Sequence, residues 1–195
     1  MSAIILEKPF TAKRHAARPP RKLTLEKFLR WKPEDGYKYE WVNGIIEKTE
    51  RSMTPEQQYI IHNLQRKFTQ TAHYQEGGDL VVETDATLNG GEVRRPDVSL
   101  MTAQQRKECA FGKSFLPVFV VEIISKNDSA NKIRRKLNVY FKSGVQVVWQ
   151  IFPEFQTVDV YTSPTQVQVL EGENICSASP AVPDFAMSVN DIFRI

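Results

Sequence analysis

The period of apolar positions changes repeatedly along the chain, and each change marks an element. The densest run is "VFVVEIIS" (118–125), apolar at every position before Ser125 except Glu122. It has no polar face, so it is predicted as a central strand covered on both sides. "LVVETDATL" and "DVSLM" read as shorter strands separated by the turn residues "NGGE", and "VQVVWQIF" as the next long strand. "TVDVYTS" and "VQVLEGEN" read as short, peripheral antiparallel strands. "YKYEWVNGIIEK" is a hairpin turning on Asn43-Gly44, a pair suited to a type I′ turn.

Between these runs the period lengthens to that of a helix. Thr24 caps a short helix carrying Leu25, Phe28 and Leu29. Thr54, Pro55 and Gln57 form a strong helix start, followed by the stripe Ile60, Ile61, Leu64 and Phe68, with Gly77-Gly78 as the stop. "SANKIRRKLNVYFKSG" is a helix with the stripe Ile133, Leu137 and Tyr140, and Gly144 ends it. The segment from Ser125 to Val145 is long enough to cross over between two parallel strands. These elements predict an α/β fold, one mixed central β-sheet flanked by helices, in a single domain over 23–195. "SVNDIFRI" closes the chain.

Composition alters this picture only at the N-terminus. Residues 1–22 hold six Lys or Arg against the single acid Glu7, with three prolines, which reads as a flexible basic arm. The 195 residues otherwise suit one sizeable core, and the net charge of +3 permits an anionic partner without demanding one. Cys109 and Cys176 lie far apart without metal-ligand spacing, which points to a reduced, cytoplasmic protein. No apolar run approaches the roughly 18 residues of a membrane span.

Candidate chemistry starts from Glu122. A carboxylate inside a buried strand costs several kcal/mol, roughly, unless a cation or metal compensates it. Walker, GxGxxG, GxSxG and HExxH signatures are absent, and His15, His62 and His73 have no ligand partners. Lys136 lies on the sheet-facing stripe of its helix. Counting rises along strand and helix sets it at the level of Glu122, each roughly 10 Å from the strand end. A second acid, Asp97, opens the preceding strand after "RRP". Two accounts stay open on geometry alone: a buried Glu122–Lys136 ion pair, or a site in which Asp97 and Glu122 hold Mg²⁺ or Mn²⁺ beside a lysine. A glycosidase using the same two acids is disfavoured by the inward lysine and the lack of an aromatic sugar-cleft signature.

An acid, a second acid on the next strand and then a lysine resemble the PD-(D/E)xK nuclease superfamily. The pieces "DGYKYEWVNGIIEK", "RRPDVSLM", "FVVEIISKNDSANKIRRKLNVYFKSGVQVVWQIFPEFQTVDVY" and "PDFAMSVNDIF", in that order, resemble its Uma-type restriction endonuclease family from about Leu23 to the C-terminus. The resemblance implies a restriction-endonuclease-like core, Mg²⁺- or Mn²⁺-dependent cleavage of DNA, and often a homodimer. It assigns catalysis to Asp97, Glu122 and Lys136, and metal ligation to Asp97, Glu122 and the backbone carbonyl of Ile123. Glu40 becomes either a supporting acid or an exposed hairpin charge. Arg94, Arg95, Lys132 and Arg135 become candidate phosphate contacts. Ile124 stands where the superfamily usually carries its lysine, and Lys132 where family members often carry Asp. The main alternative is an inactive nucleic-acid-binding or interaction module on the same fold.

Overall fold

Each α-helix in the described chain starts on a Ser or Thr whose side-chain oxygen accepts from the backbone N–H three residues on. Short polar residues in front of the apolar stripes therefore fix where helices begin. The structure is a computed structural model and describes residues 22–50 and 53–195. Apart from Lys22, the arm expected over 1–22 lies outside these residues.

In chain order the elements are α1 (Leu25–Arg30), β1 (Tyr37–Val42), β2 (Ile45–Glu50), α2 (Pro55–Phe68), α3 (Ala72–Gln75), β3 (Asp79–Val82), β4 (Ala86–Thr87), β5 (Val93–Arg94) and β6 (Val98–Met101). There follow α4 (Ala103–Ala110), β7 (Phe119–Ile123), α5 (Ala130–Ser143), β8 (Val147–Phe152), a 3-10 turn at Pro153–Phe155, β9 (Thr157–Ser163), β10 (Gln166–Glu171), β11 (Ile175–Ser177), β12 (Ala186–Ser188) and α6 (Val189–Phe193).

The main sheet has six strands in the order β10-β9-β8-β7-β6-β3. β7 and β8 are parallel and joined by α5, while the other pairs are antiparallel. All five residues of β7 are buried, as its unbroken apolar pattern predicts. The strand pleat sends Phe119, Val121 and Ile123 to the core made by α2, Trp149 and Phe185. Val120 goes to the opposite core with Leu137 and Tyr140 of α5. Glu122 shares the face of Val120, because side chains two apart along a strand point the same way. The α5 helix thus covers the acid.

The expected mixed central sheet flanked by helices is present, and two smaller sheets accompany it. A four-stranded sheet, β2-β1-β5-β4, stands apart from the main one, and β11 pairs with β12 in a third. The predicted strand "LVVETDATL" is in fact cut at Glu83, whose φ of 44° breaks the extended backbone. Its first half joins the main sheet and its second half the small one. The second helix stops at Phe68, not at Gly77-Gly78, because Thr71 caps the separate helix α3. Leu29 is exposed, so the stripe of α1 narrows to Leu25 and Phe28. The hairpin turn is as predicted, with φ of 49° at Asn43 and 85° at Gly44. Among the described residues no helix is long and apolar enough to cross a membrane.

Candidate functional site

The site forms where the small sheet meets the end of β7 and α5. Strand alternation in "KYEWV" sends Lys38 and Glu40 to one face and Tyr39 and Trp41 to the other. Tyr39 and Trp41 pack against the α1 cluster, which turns Lys38 and Glu40 toward α5. Across the hairpin their partners are Thr49 and Glu47.

Asp97 immediately precedes β6. The register Val98↔Val121, carried one residue further, sets it opposite Glu122. The backbone N–H of Ile123 donates to one oxygen of Asp97 at 2.8 Å, and the Lys38 ammonium donates to the other at 2.8 Å. Lys136 lies 2.7 Å from Glu122 and 3.3 Å from Glu40. The Tyr140 hydroxyl donates to the Glu122 oxygen that also meets Lys136. Glu40 accepts the backbone N–H of Arg95 at 2.8 Å. The structure therefore brings Asp97, Glu122, Lys136 and Glu40 together, and the level argument for Lys136 agrees with its position. Glu40 is 2% exposed, so it is not an exposed hairpin charge.

Charge affects the two buried glutamates in opposite ways. Burial raises the Glu122 carboxyl above the usual range; Lys136 pulls it down, Asp97 pushes it up, and the upward effects prevail. Burial would also raise Glu40, but Lys136, Lys38, Arg94 and the Arg95 N–H together bring it down to about 2. Burial opposes the charge on Lys136, yet Glu122 and Glu40 hold its affinity for a proton well above the ordinary value. Burial first, then Glu122, raises Tyr140 far above a normal phenol, so its hydroxyl keeps its proton and remains a donor.

The candidate phosphate contacts divide. Arg94 turns inward, 1% exposed, and faces Glu92 at 3.0 Å, Glu47 at 3.1 Å and Glu40 at 3.4 Å. This corrects the expectation that it reaches nucleic acid: three carboxylates consume its guanidinium inside the protein. Arg95 is partly exposed but bound in two places to Asp85, at 2.7 and 3.0 Å. Lys132 donates to Thr49 at 3.1 Å and, like Arg135, lies 3.9 Å from Glu47. Of the two, Arg135 is the more open, its side chain 60% exposed.

Sequence reading missed Lys38, Tyr140 as a polar group, and Gln150. Lys38 and Glu40 are two apart on a strand, a same-face signal that the hairpin reading overlooked. Tyr140 was legible as a stripe residue, and a buried phenol needs a partner. Gln150 is buried on β8 directly beside Glu122 in the parallel register.

An open cleft of about 850 Å³ leads to these residues from the loop between β7 and α5 and the start of α2. Among the described residues eight carboxylates and five lysines line it. Among the described residues no three acidic, His or Cys side chains form a ready ligand cluster. Magnesium, however, is often held by only one or two carboxylates with water completing its shell. Asp97 and Glu122 supply hard oxygen donors of that kind, and the Lys38 ammonium stands in for a cation beside Asp97. In donor chemistry the residues present fit a divalent ion.

A sequence profile of the Uma2 family, described as "Putative restriction endonuclease", matches residues 25–190. The crystal structure of "a putative nuclease belonging to DUF820" from Anabaena variabilis resembles the chain with a TM-score of 0.73 and 22% identity. That match covers 88% of this chain and 97% of the other, and it carries the restriction-endonuclease-like fold. A DrdV–DNA complex matches at a TM-score of 0.34 and 17% identity, over 50% of this chain and 8% of the other, too low to support an argument. No curated protein matches the chain.

Proposed function

The chain belongs to the Uma2 "Putative restriction endonuclease" family, and from that premise we propose that it is a divalent-metal-dependent endonuclease hydrolysing phosphodiester bonds of DNA. One observation carries this reading: Asp97, just before β6, and Glu122 of the adjacent β7 both line the cleft, with Lys136 held at 2.7 Å from Glu122.

Asp97 and Glu122 would hold Mg²⁺ or Mn²⁺, with the backbone carbonyl of Ile123 as a further ligand. When bound, the ion supplies Lewis-acid polarisation of the phosphate and a more acidic water. The Ile123 N–H fixes the plane of the Asp97 carboxylate. Tyr140 and Lys136 fix that of Glu122, so both acids are held before a substrate arrives. Lys136 stays protonated and stabilises charge growing on the phosphate or orients the attacking water. Glu40 holds the Lys136 ammonium from the other side at 3.3 Å. The carboxylates that line the cleft would oppose a polyanion, and a cation bound between them would offset that repulsion. Lys132, which lines the cleft, and the exposed Arg135 would meet the phosphates.

The test is supercoiled plasmid with Mg²⁺ or Mn²⁺, comparing wild type, Asp97→Asn and Lys136→Ala. Loss of about 10²-fold or more in nicking by each variant is expected. Equal nicking by all three identifies a contaminant and removes the assignment. A second reading, an inactive binding module with these acids as structural charges, is favoured by the fact that each already has a cationic neighbour. Salt-sensitive DNA binding without uptake of millimolar Mn²⁺ in calorimetry would establish it.

A further inference from the structure

The acid–acid–lysine pattern accounts for Lys136 but leaves the second inward lysine unused. Lys38 sits on the same strand face as Glu40, its side chain is 11% exposed, and its ammonium is 2.8 Å from Asp97. One oxygen of Asp97 takes the Ile123 N–H and the other takes Lys38, and of these two donors only the lysine head group can move without moving backbone. We propose that Lys38 is a built-in counter-cation that occupies the metal side of Asp97 and must withdraw when a divalent ion loads. This rests on the metal-dependent reading above.

Three features favour displacement over a permanent structural pair. An ammonium is a compact point charge on a flexible four-carbon stem, so it can exchange one acceptor for another without moving backbone. Lys38 borders the open cleft, which gives its head group room to retreat. Asp97 keeps a second donor, the Ile123 N–H at 2.8 Å, which holds its carboxylate when Lys38 leaves. Without metal, Lys38 balances the charge of Asp97. With metal bound, an ammonium in its present place would face a divalent cation across a single carboxylate, and like charges at that range repel.

The proposal predicts competition between Lys38 and metal that is visible without any cleavage. Mn²⁺ is titrated calorimetrically into wild type, Lys38→Met and Lys38→Arg, each first checked for native circular dichroism. Met keeps the apolar stem and removes the charge; Arg keeps the charge on a bulkier head. Lys38→Met is expected to bind Mn²⁺ about tenfold more tightly than wild type, within the usual range of coupling between competing ligands. Lys38→Arg should bind no more tightly than wild type. In parallel, amine acetylation of the wild-type protein is followed by mass spectrometry, and Lys38 should label several-fold faster with saturating Mn²⁺ than without it. Equal or weaker Mn²⁺ binding by Lys38→Met means that Lys38 only positions Asp97; the displacement idea then falls while the metal reading stands. If that variant does not fold, labelling decides: an unchanged rate at Lys38 under saturating Mn²⁺ overturns the proposal. If neither wild type nor Lys38→Met takes up Mn²⁺, both this proposal and the metal-dependent reading fall together.

Discussion

The two ends of the polar network solve the problem of buried charge differently. At the closed end, Arg94 faces three glutamates, and Asn43 and the Arg95 backbone N–H add donors to two of them. Glu40 there is driven down to about 2, against an ordinary value of 4.5. At the open end, burial raises Glu122 although Lys136 touches it. Both glutamates are buried, so burial alone does not separate them. The difference is the number of cations and donors around each. One end is charge-satisfied and structural, and the other is left short of positive charge where the cleft admits solutes.

The comparison breaks most readily at Arg94. Arg94→Met should destabilise the protein by about 3–5 kcal/mol, because it leaves carboxylates buried without their cation. A fall of roughly 10 °C in melting temperature checks this; a melt unchanged within 1–2 °C, roughly the resolution of the comparison, would show that the closed end is not what holds the small sheet.

The next effect is on pH dependence. The folded value of Glu40 is depressed, so its contribution to stability is present above about 4.5 and is lost as pH falls toward about 2. On linkage this contribution is on the order of 3 kcal/mol. Urea melts of wild type and Glu40→Gln should therefore differ most near neutrality and converge toward pH 2.5. A constant difference would contradict the charge-satisfied reading. Glu122 has the opposite sign: its raised value makes ionisation unfavourable to the fold above the ordinary range, and acid relieves that cost.

The smallest effect on stability, outside both ends, sharpens the contrast. Arg135→Ala should change stability by less than about 0.5 kcal/mol, since the pair it forms with Glu47 is solvent-screened. The same variant should weaken DNA binding and lower the salt slope by about one ion. Loss of stability without any change in binding would place Arg135 in the structural set instead.

The parts legible in the sequence were those encoded locally. Helix starts followed from Thr54 and Ser129, the hairpin from Asn43-Gly44, and the burial of β7 from its unbroken apolar run. The level of Lys136 followed from two rise distances. What stayed hidden depended on pairing between distant segments. Nothing local marks Glu83 as the place where a strand leaves one sheet for another. Arg94 looked like a surface residue beside a turn because its three partners come from three positions along the chain, two of them on the other side of the α2–β4 region. The α4 helix buries no residue and so offered no apolar period to read.

The wide spacing of the site also governs when it comes into being. Lys38 and Asp97 are 59 positions apart, Glu40 and Arg94 are 54 apart, and α5 contributes Lys136 and Tyr140 only afterwards. Contacts of such separation form late, because closing the intervening loops costs entropy before any contact compensates it. A chain emerging during synthesis, or one truncated before α5, would hold Glu40 and Glu122 without Lys136, which joins them. The proposed hydrolytic chemistry therefore waits for α5, the last of these elements in chain order.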